Sequence, residues 1–175
     1  AMIVYKMPAH VDALVFDMDM TLYRNEVYYK EQSVLLWERL ALELGKNEKY
    51  LREEIEQLQP DFEKIHGKGG LSLARAFEFF HVDIKDNAKW RAELFNPEQY
   101  LERDPQLVAV AEEWSKQYKL CVVSNNAEAI VQRTLQILGI ADFFSVIVGL
   151  DRGHSKPGFD LFEIALQELA VPATS

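Results

Sequence analysis

Three short apolar runs constrain this chain most: ALVF (13–16), LCVV (120–123) and FSVIV (144–148). Each is apolar on both sides, the pattern of a strand in a parallel sheet covered on both faces. Helical repeats at i, i+3, i+4 and i+7 stand beside them: Leu107, Val110, Ala111 and Trp114; Val131, Thr134, Leu135 and Leu138; Phe162, Ala165, Leu166 and Leu169. Strand and helix alternate from residue 104 onward, which predicts an α/β fold built on a parallel sheet.

Between the first run and that alternation lie roughly 75 residues without a good strand, far more than a connection needs. Trp37, Leu40, Ala41 and Leu44 form one apolar helical stripe, and Leu73, Ala76, Phe77 and Phe80 form another. Residues 25–101 therefore read as an inserted helical subdomain, with 1–24 and 102–175 as the α/β core. The charge-rich stretch NEKYLREEIEQLQPDFEK predicts the solvated face of a helix that breaks at Pro60.

A chain of 175 residues, 49% hydrophobic, can bury a real core. Its formal net charge of −9, from 28 acidic and 19 basic residues, argues against nucleic acid or an anionic membrane as partner and for a small ligand. No apolar run has the 18 or so residues that a membrane span needs, and the first residues lack a secretory signal pattern. Cys121 is the single cysteine, which rules out a disulfide framework or a cysteine metal site and fits a cytoplasmic setting. Met2 reads as the natural start, with Ala1 an addition ahead of it. Nothing in the pattern fixes an oligomeric state.

In an open parallel sheet, ligands bind beyond the carboxyl ends of the strands. The first run ends in Asp17 and Asp19 with Thr21 beyond, the second in Ser124, Asn125 and Asn126, and the third leads into Lys156. Residues two apart in extended chain point to one side, so Asp17 and Asp19 can face one pocket. Two close carboxylates repel, and an oxygen-seeking divalent cation, magnesium foremost, relieves that repulsion. Lys156 supplies a fixed cation, and Ser124 with nearby backbone N–H groups, that of Asn125 among them, suits a tetrahedral anion. An aspartate can attack phosphorus while a second carboxyl serves as acid and then base, so the set points to phosphoryl transfer.

FDMDMTLY, VVSNN and SKPGFDLF, in that order, resemble the first three signature motifs of the haloacid dehalogenase superfamily, and the helical insertion resembles that superfamily's cap. The resemblance implies a Rossmann-like core with an inserted cap and a magnesium-dependent phosphatase acting on a small phosphorylated metabolite through an aspartyl-phosphate. By the same resemblance Asp17 is the nucleophile and a metal ligand. Asp19 is the acid and then the base, with its backbone carbonyl in the metal shell. Thr21 supports the loop geometry, Ser124 binds the phosphoryl group, and Lys156 balances charge. The second aspartate separates phosphatases from the superfamily's dehalogenases, which lack it.

The superfamily's fourth motif, an acidic cluster on a further strand, is expected beyond Ser175, because the sequence stops at ELAVPATS before it and an unpaired sheet edge would result; a natural short form is the other reading. A phosphomutase is the nearest enzymatic alternative, and a non-enzymatic binding module with the same fold is the other. Of the remaining polar residues, His66 and Lys68 read as a glycine-rich turn, His154 and Asp151 as exposed loop positions, Pro157 as a helix start and Asn126 as a strand-ending turn. Trp37, Trp90, Trp114 and Cys121 read as packing. Met20 is bulkier than the resemblance leads one to expect between Asp19 and Thr21.

Overall fold

A computed structural model describes residues 10–66, 73–154, 156 and 160–171. Its three strands, β1 (Ala13–Phe16), β2 (Lys119–Val123) and β3 (Phe144–Val148), form one parallel sheet in the order β1-β2-β3. The register pairs Val15 with Cys121, and Cys121 with Val146. All three expected strands are present, but only β2 is covered throughout its apolar run. Val15 of β1 and Ser145 of β3 are exposed, as positions on strands at the edge of the described sheet can be.

Alternation along β2 divides the core. Leu120 and Val122 join the larger cluster, whereas Cys121 and Val123 join a smaller one with Val146, Val148, Leu161, Ala165 and Leu169. Helices α5 (Pro105–Ser115) and α6 (Glu128–Leu138) contribute to the first cluster and α7 (Asp160–Leu169) to the second, so helices cover both faces of the sheet. The α7 stripe differs from the one expected. Leu161, Ala165 and Leu169, spaced by four, are buried, while Phe162 is exposed. Cys121 is a core residue, and burial pushes its thiol up to about 12. Trp37 and Trp90 are buried as expected, and Trp114 lies half-exposed, stacked on Phe16 at 5.7 Å.

Among the described residues, four α-helices occupy the stretch between β1 and α5: α1 (Glu26–Leu44), α2 (Glu48–His66), α3 (Leu73–Phe79) and α4 (Ile84–Leu94). Asn25 caps α1 by accepting from the Tyr28 N–H at 2.9 Å, and Gly45 ends it at φ 60°, a left-handed turn that glycine takes without strain. Phe77 meets Trp37 and Trp90 edge-on, at 5.5 and 6.2 Å, and so ties α3 to α1 and α4. Against expectation, α2 runs through Pro60. The reason is its apolar face: Leu51 and Ile55 are buried and Leu58 packs against them, while Pro60 is exposed, where water can satisfy the carbonyl it frees. Residues 67–72, which include Lys68, lie outside the described residues, as do Pro157 and the side chain of His66.

The segments entering and leaving the four helices are tied together. Asn25 Nδ2 donates to the Tyr100 carbonyl at 2.9 Å, and Tyr28 stacks on Tyr100 at 5.0 Å. A second tie links β3 to α6. Asp151 accepts from the Glu128 N–H at 2.8 Å and caps a helix whose own N-cap, Ala127, makes no side-chain bond. Gly149 permits this approach, because a Cβ there would sit 2.3 Å from the Glu128 nitrogen and 2.7 Å from its Cα. Backbone atoms cannot swing aside, so Gly149→Ala is expected to destabilise the fold by about 1–3 kcal/mol. Its urea midpoint should fall without a change in slope.

Candidate active site

Beyond β1 the chain stays extended long enough to sort its side chains. Met18 is fully buried, while Asp17 and Asp19 on either side of it line one cavity of about 510 Å³. Met20 then takes φ 62°, a left-handed conformation, and the turn closes with the Thr21 and Leu22 N–H groups donating to the Met18 carbonyl at 3.2 and 2.9 Å. Asn125 and Lys156 line the same cavity, so strand-end residues from all three strands do converge. Thr21 and Ser124 do not line it. Thr21 is exposed in the turn, and fully buried Ser124 accepts from the Asn126 N–H at 3.0 Å, shaping the loop after β2.

The two carboxylates meet different surroundings. Asp17 is about half exposed (47%), and one of its oxygens is bonded by the Lys156 ammonium; the other has no partner among the described residues. Lys156 is held in turn, because its Nζ also donates to the Val123 carbonyl at 2.9 Å, and its N–H donates to Asn125 Oδ1 at 2.7 Å. Asn125 thus grips the backbone of the lysine that meets Asp17.

Asp19 sits deeper. Tyr23 Oη and Gln32 Nε2, the latter at 3.2 Å, donate to its Oδ1, and Asn126 Nδ2 donates to its Oδ2 at 2.7 Å. Burial pushes the Asp19 pKa up, and the charge of Asp17 adds to the rise. Hydrogen bonds from Tyr23 and Gln32 and the charge of Arg91 pull the other way without cancelling it. The Tyr23 hydroxyl is raised as well, first by burial and then by the charge of Asp19. It therefore stays a donor.

Several of these partners are absent from the sequence reading. Gln32 is buried on α1 in a stripe with Tyr28, Leu36 and Leu40, and Asn87 and Arg91 are buried one turn apart on α4. Polar residues on a buried stripe were the available signal. Asn126, read as a turn residue, instead bridges Asp19, Gln32 and Arg91. Asp151 is engaged as a helix cap, and exposed His154 bonds Asp160 through its N–H and, at 3.1 Å, its ring; neither lines this cavity.

No group of three or more His, Cys, Asp or Glu side chains forms a metal cage among the described residues. The donor set still fits magnesium as a partial shell. That ion is commonly held by one or two carboxylates, with water and phosphate oxygens filling the rest, and Asp17 offers one unengaged oxygen. The Asp19 carboxyl already accepts three hydrogen bonds, which leaves it little room for a metal. No helix among the described residues is long and apolar enough to cross a membrane.

The pattern of the haloacid dehalogenase-like hydrolases matches residues 11–174. The chain is 27% identical over 189 residues to the 5-amino-6-(5-phospho-D-ribitylamino)uracil phosphatase YigB of Escherichia coli, covering 96% of this chain and 74% of that one. It is 30% identical over 165 residues to the pyrophosphatase PpaX of Listeria monocytogenes, covering 93% and 71%. A crystal structure of a phosphatase of this superfamily from Thermococcus onnurineus superposes with a TM-score of 0.53 at 20% identity, over 92% of this chain and 73% of that one, and shares the fold. With its motif residues at the strand ends and phosphatases among its relatives, the chain belongs to the haloacid dehalogenase-like hydrolases, as a phosphatase of that family.

Proposed function

We propose that this phosphoric monoester hydrolase cleaves a small phosphomonoester bound in the 510 Å³ cavity, with Asp17 as nucleophile, Asp19 as acid and then base, and magnesium as cofactor. One observation carries the reading. Two carboxyls on one short segment are pushed into opposite environments, one exposed and paired with Lys156, the other partly buried among hydrogen-bond donors with its pKa raised by desolvation.

In the first half-reaction one oxygen of the Asp17 carboxylate attacks phosphorus while the other stays with the neighbouring cations, and the Asp19 carboxyl gives its proton to the departing oxygen. An aspartyl-phosphate and a free alcohol result. In the second, Asp19, now a carboxylate, takes a proton from water as that water attacks the same phosphorus, releasing phosphate and restoring Asp17. Lys156 offsets the negative charge gathered at Asp17, and Asn125 fixes where it stands. Asn125, which lines the cavity, completes the phosphate cradle, and buried Ser124 shapes the loop that carries it. The Asp17 carboxylate and the Asp19 carbonyl would hold magnesium, which would supply positive charge to lower the repulsion between nucleophile and phosphate.

Residues 25–101 act as a cap over the core, tied at its base by the Asn25 to Tyr100 bond, and cap residues Tyr29, Ser33 and Leu73 meet the leaving group. The test is phosphate release from p-nitrophenyl phosphate and from a panel of alkyl phosphates and pyrophosphate, using chelator-treated protein. Activity should appear with added magnesium. Equal rates with and without the metal would overturn the magnesium assignment, and faster turnover of pyrophosphate than of any monoester would overturn the substrate class. Product formation that requires a bisphosphorylated activator would mark a mutase.

A further inference from the structure

Arg91 is a buried cation without a carboxylate salt-bridge partner among the described residues. Its side chain is 6% exposed, and its bonds go to amide oxygens: Nε donates to Asn87 Oδ1 at 2.8 Å and a terminal nitrogen to Asn126 Oδ1 at 3.0 Å. Burial pulls its pKa down to about 10, so it stays charged at neutral pH. Enclosing such a charge costs stability that apolar packing would not. Its position therefore asks for a reason other than stability.

The reason lies in the chemistry of amides. The two ends of a carboxamide have nearly the same shape, and the bonding around it decides which way it faces. A guanidinium only donates, so the Asn126 oxygen must face Arg91 and its NH2 must face Asp19 Oδ2 at 2.7 Å and Gln32 Oε1 at 3.3 Å. With its oxygen occupied in this way, Gln32 in turn aims its NH2 at Asp19 Oδ1 and, at 3.3 Å, at Tyr23 Oη. One guanidinium from α4 thus sets the direction of both amide donors on the carboxyl of Asp19. Were Asn126 to turn over, its oxygen would accept the Asp19 proton and hold it away from the cavity.

We propose that Arg91 is a positioning residue that acts through Asn126 to keep the Asp19 carboxyl aimed at the leaving group. This rests on the reading of Asp19 as the acid. A departing nitrophenolate needs little protonation and an alkoxide needs much, so loss of acid function appears selectively with alkyl substrates.

The experiment compares β-glycerophosphate with p-nitrophenyl phosphate for the parent, Arg91→Met, Arg91→Lys and Asp19→Asn. The expected result is a kcat loss in Arg91→Met about 10-fold or more larger for the alkyl than for the aryl substrate. Arg91→Lys keeps the charge but has a single ammonium to reach two amides, so it should show the same selective loss to a smaller degree. It carries the test if Arg91→Met does not melt cooperatively. Equal losses on both substrates in the Arg91 variants, while Asp19→Asn is selective, would overturn the positioning role alone. Equal losses in Asp19→Asn would instead overturn the acid reading on which it rests.

Discussion

Asp17→Asn is expected to abolish phosphate release, by on the order of 10⁴-fold or more, while leaving the fold intact. An amide is close in shape to a carboxylate but is not a nucleophile toward phosphorus, so no aspartyl-phosphate can form. Little stability is at stake. Asp17 is half exposed, and a pair so open to water contributes about 1 kcal/mol or less. Lys156 also keeps its bond to the Val123 carbonyl. The checks are phosphate release at saturating magnesium and the thermal midpoint of the same preparation. Release by the variant at the parental rate would remove Asp17 from the chemistry.

Asp19→Asn should cost roughly 10²–10⁴-fold on an alkyl phosphate, the usual contribution of a positioned acid and base. The pH dependence follows from the raised pKa of Asp19, caused first by burial and next by the charge of Asp17. The protonated acid persists to higher pH than in an ordinary aspartate. Turnover of alkyl phosphates should therefore hold on the acid side and fall as pH rises through the elevated value. Stability moves in the same direction. Between the unfolded and folded pKa values the native protein binds the proton that the unfolded chain has released, so stability falls as pH rises across that window. The asparagine variant lacks this titration. Its melting temperature should gain on the parent's over the same window and then run parallel, which a pH series of thermal melts would show. A gap independent of pH would mean that the carboxyl of Asp19 does not titrate differently in the two states.

The strand runs and the polar residues at their ends were legible because both depend on local pattern. Apolar stretches of four or five residues mark β1, β2 and β3, and the ligand rule for parallel sheets then brings Asp17, Asp19, Asn125 and Lys156 to one cavity. Local rules failed where tertiary contact outweighs propensity. Pro60 should end a helix, yet α2 continues because its apolar face carries Leu51, Ile55 and Leu58 into packing while Pro60 faces water. Phe162 looked like a core residue by spacing, but the face of α7 that meets the sheet is that of Leu161, Ala165 and Leu169.

The sequence by itself determined which polar groups stand beyond the strand ends, two aspartates one residue apart and a lysine after the third strand, and that a long helical stretch separates the first strand from the second. Only the tertiary structure decided what surrounds them. Asn126, Gln32 and Arg91 lie on separate elements, and their roles arise when docking of α1 and α4 removes water and leaves each amide and guanidinium to find its partner in the protein. A buried polar group must be satisfied by whatever the fold brings within about 3 Å, and no local pattern records which group that will be.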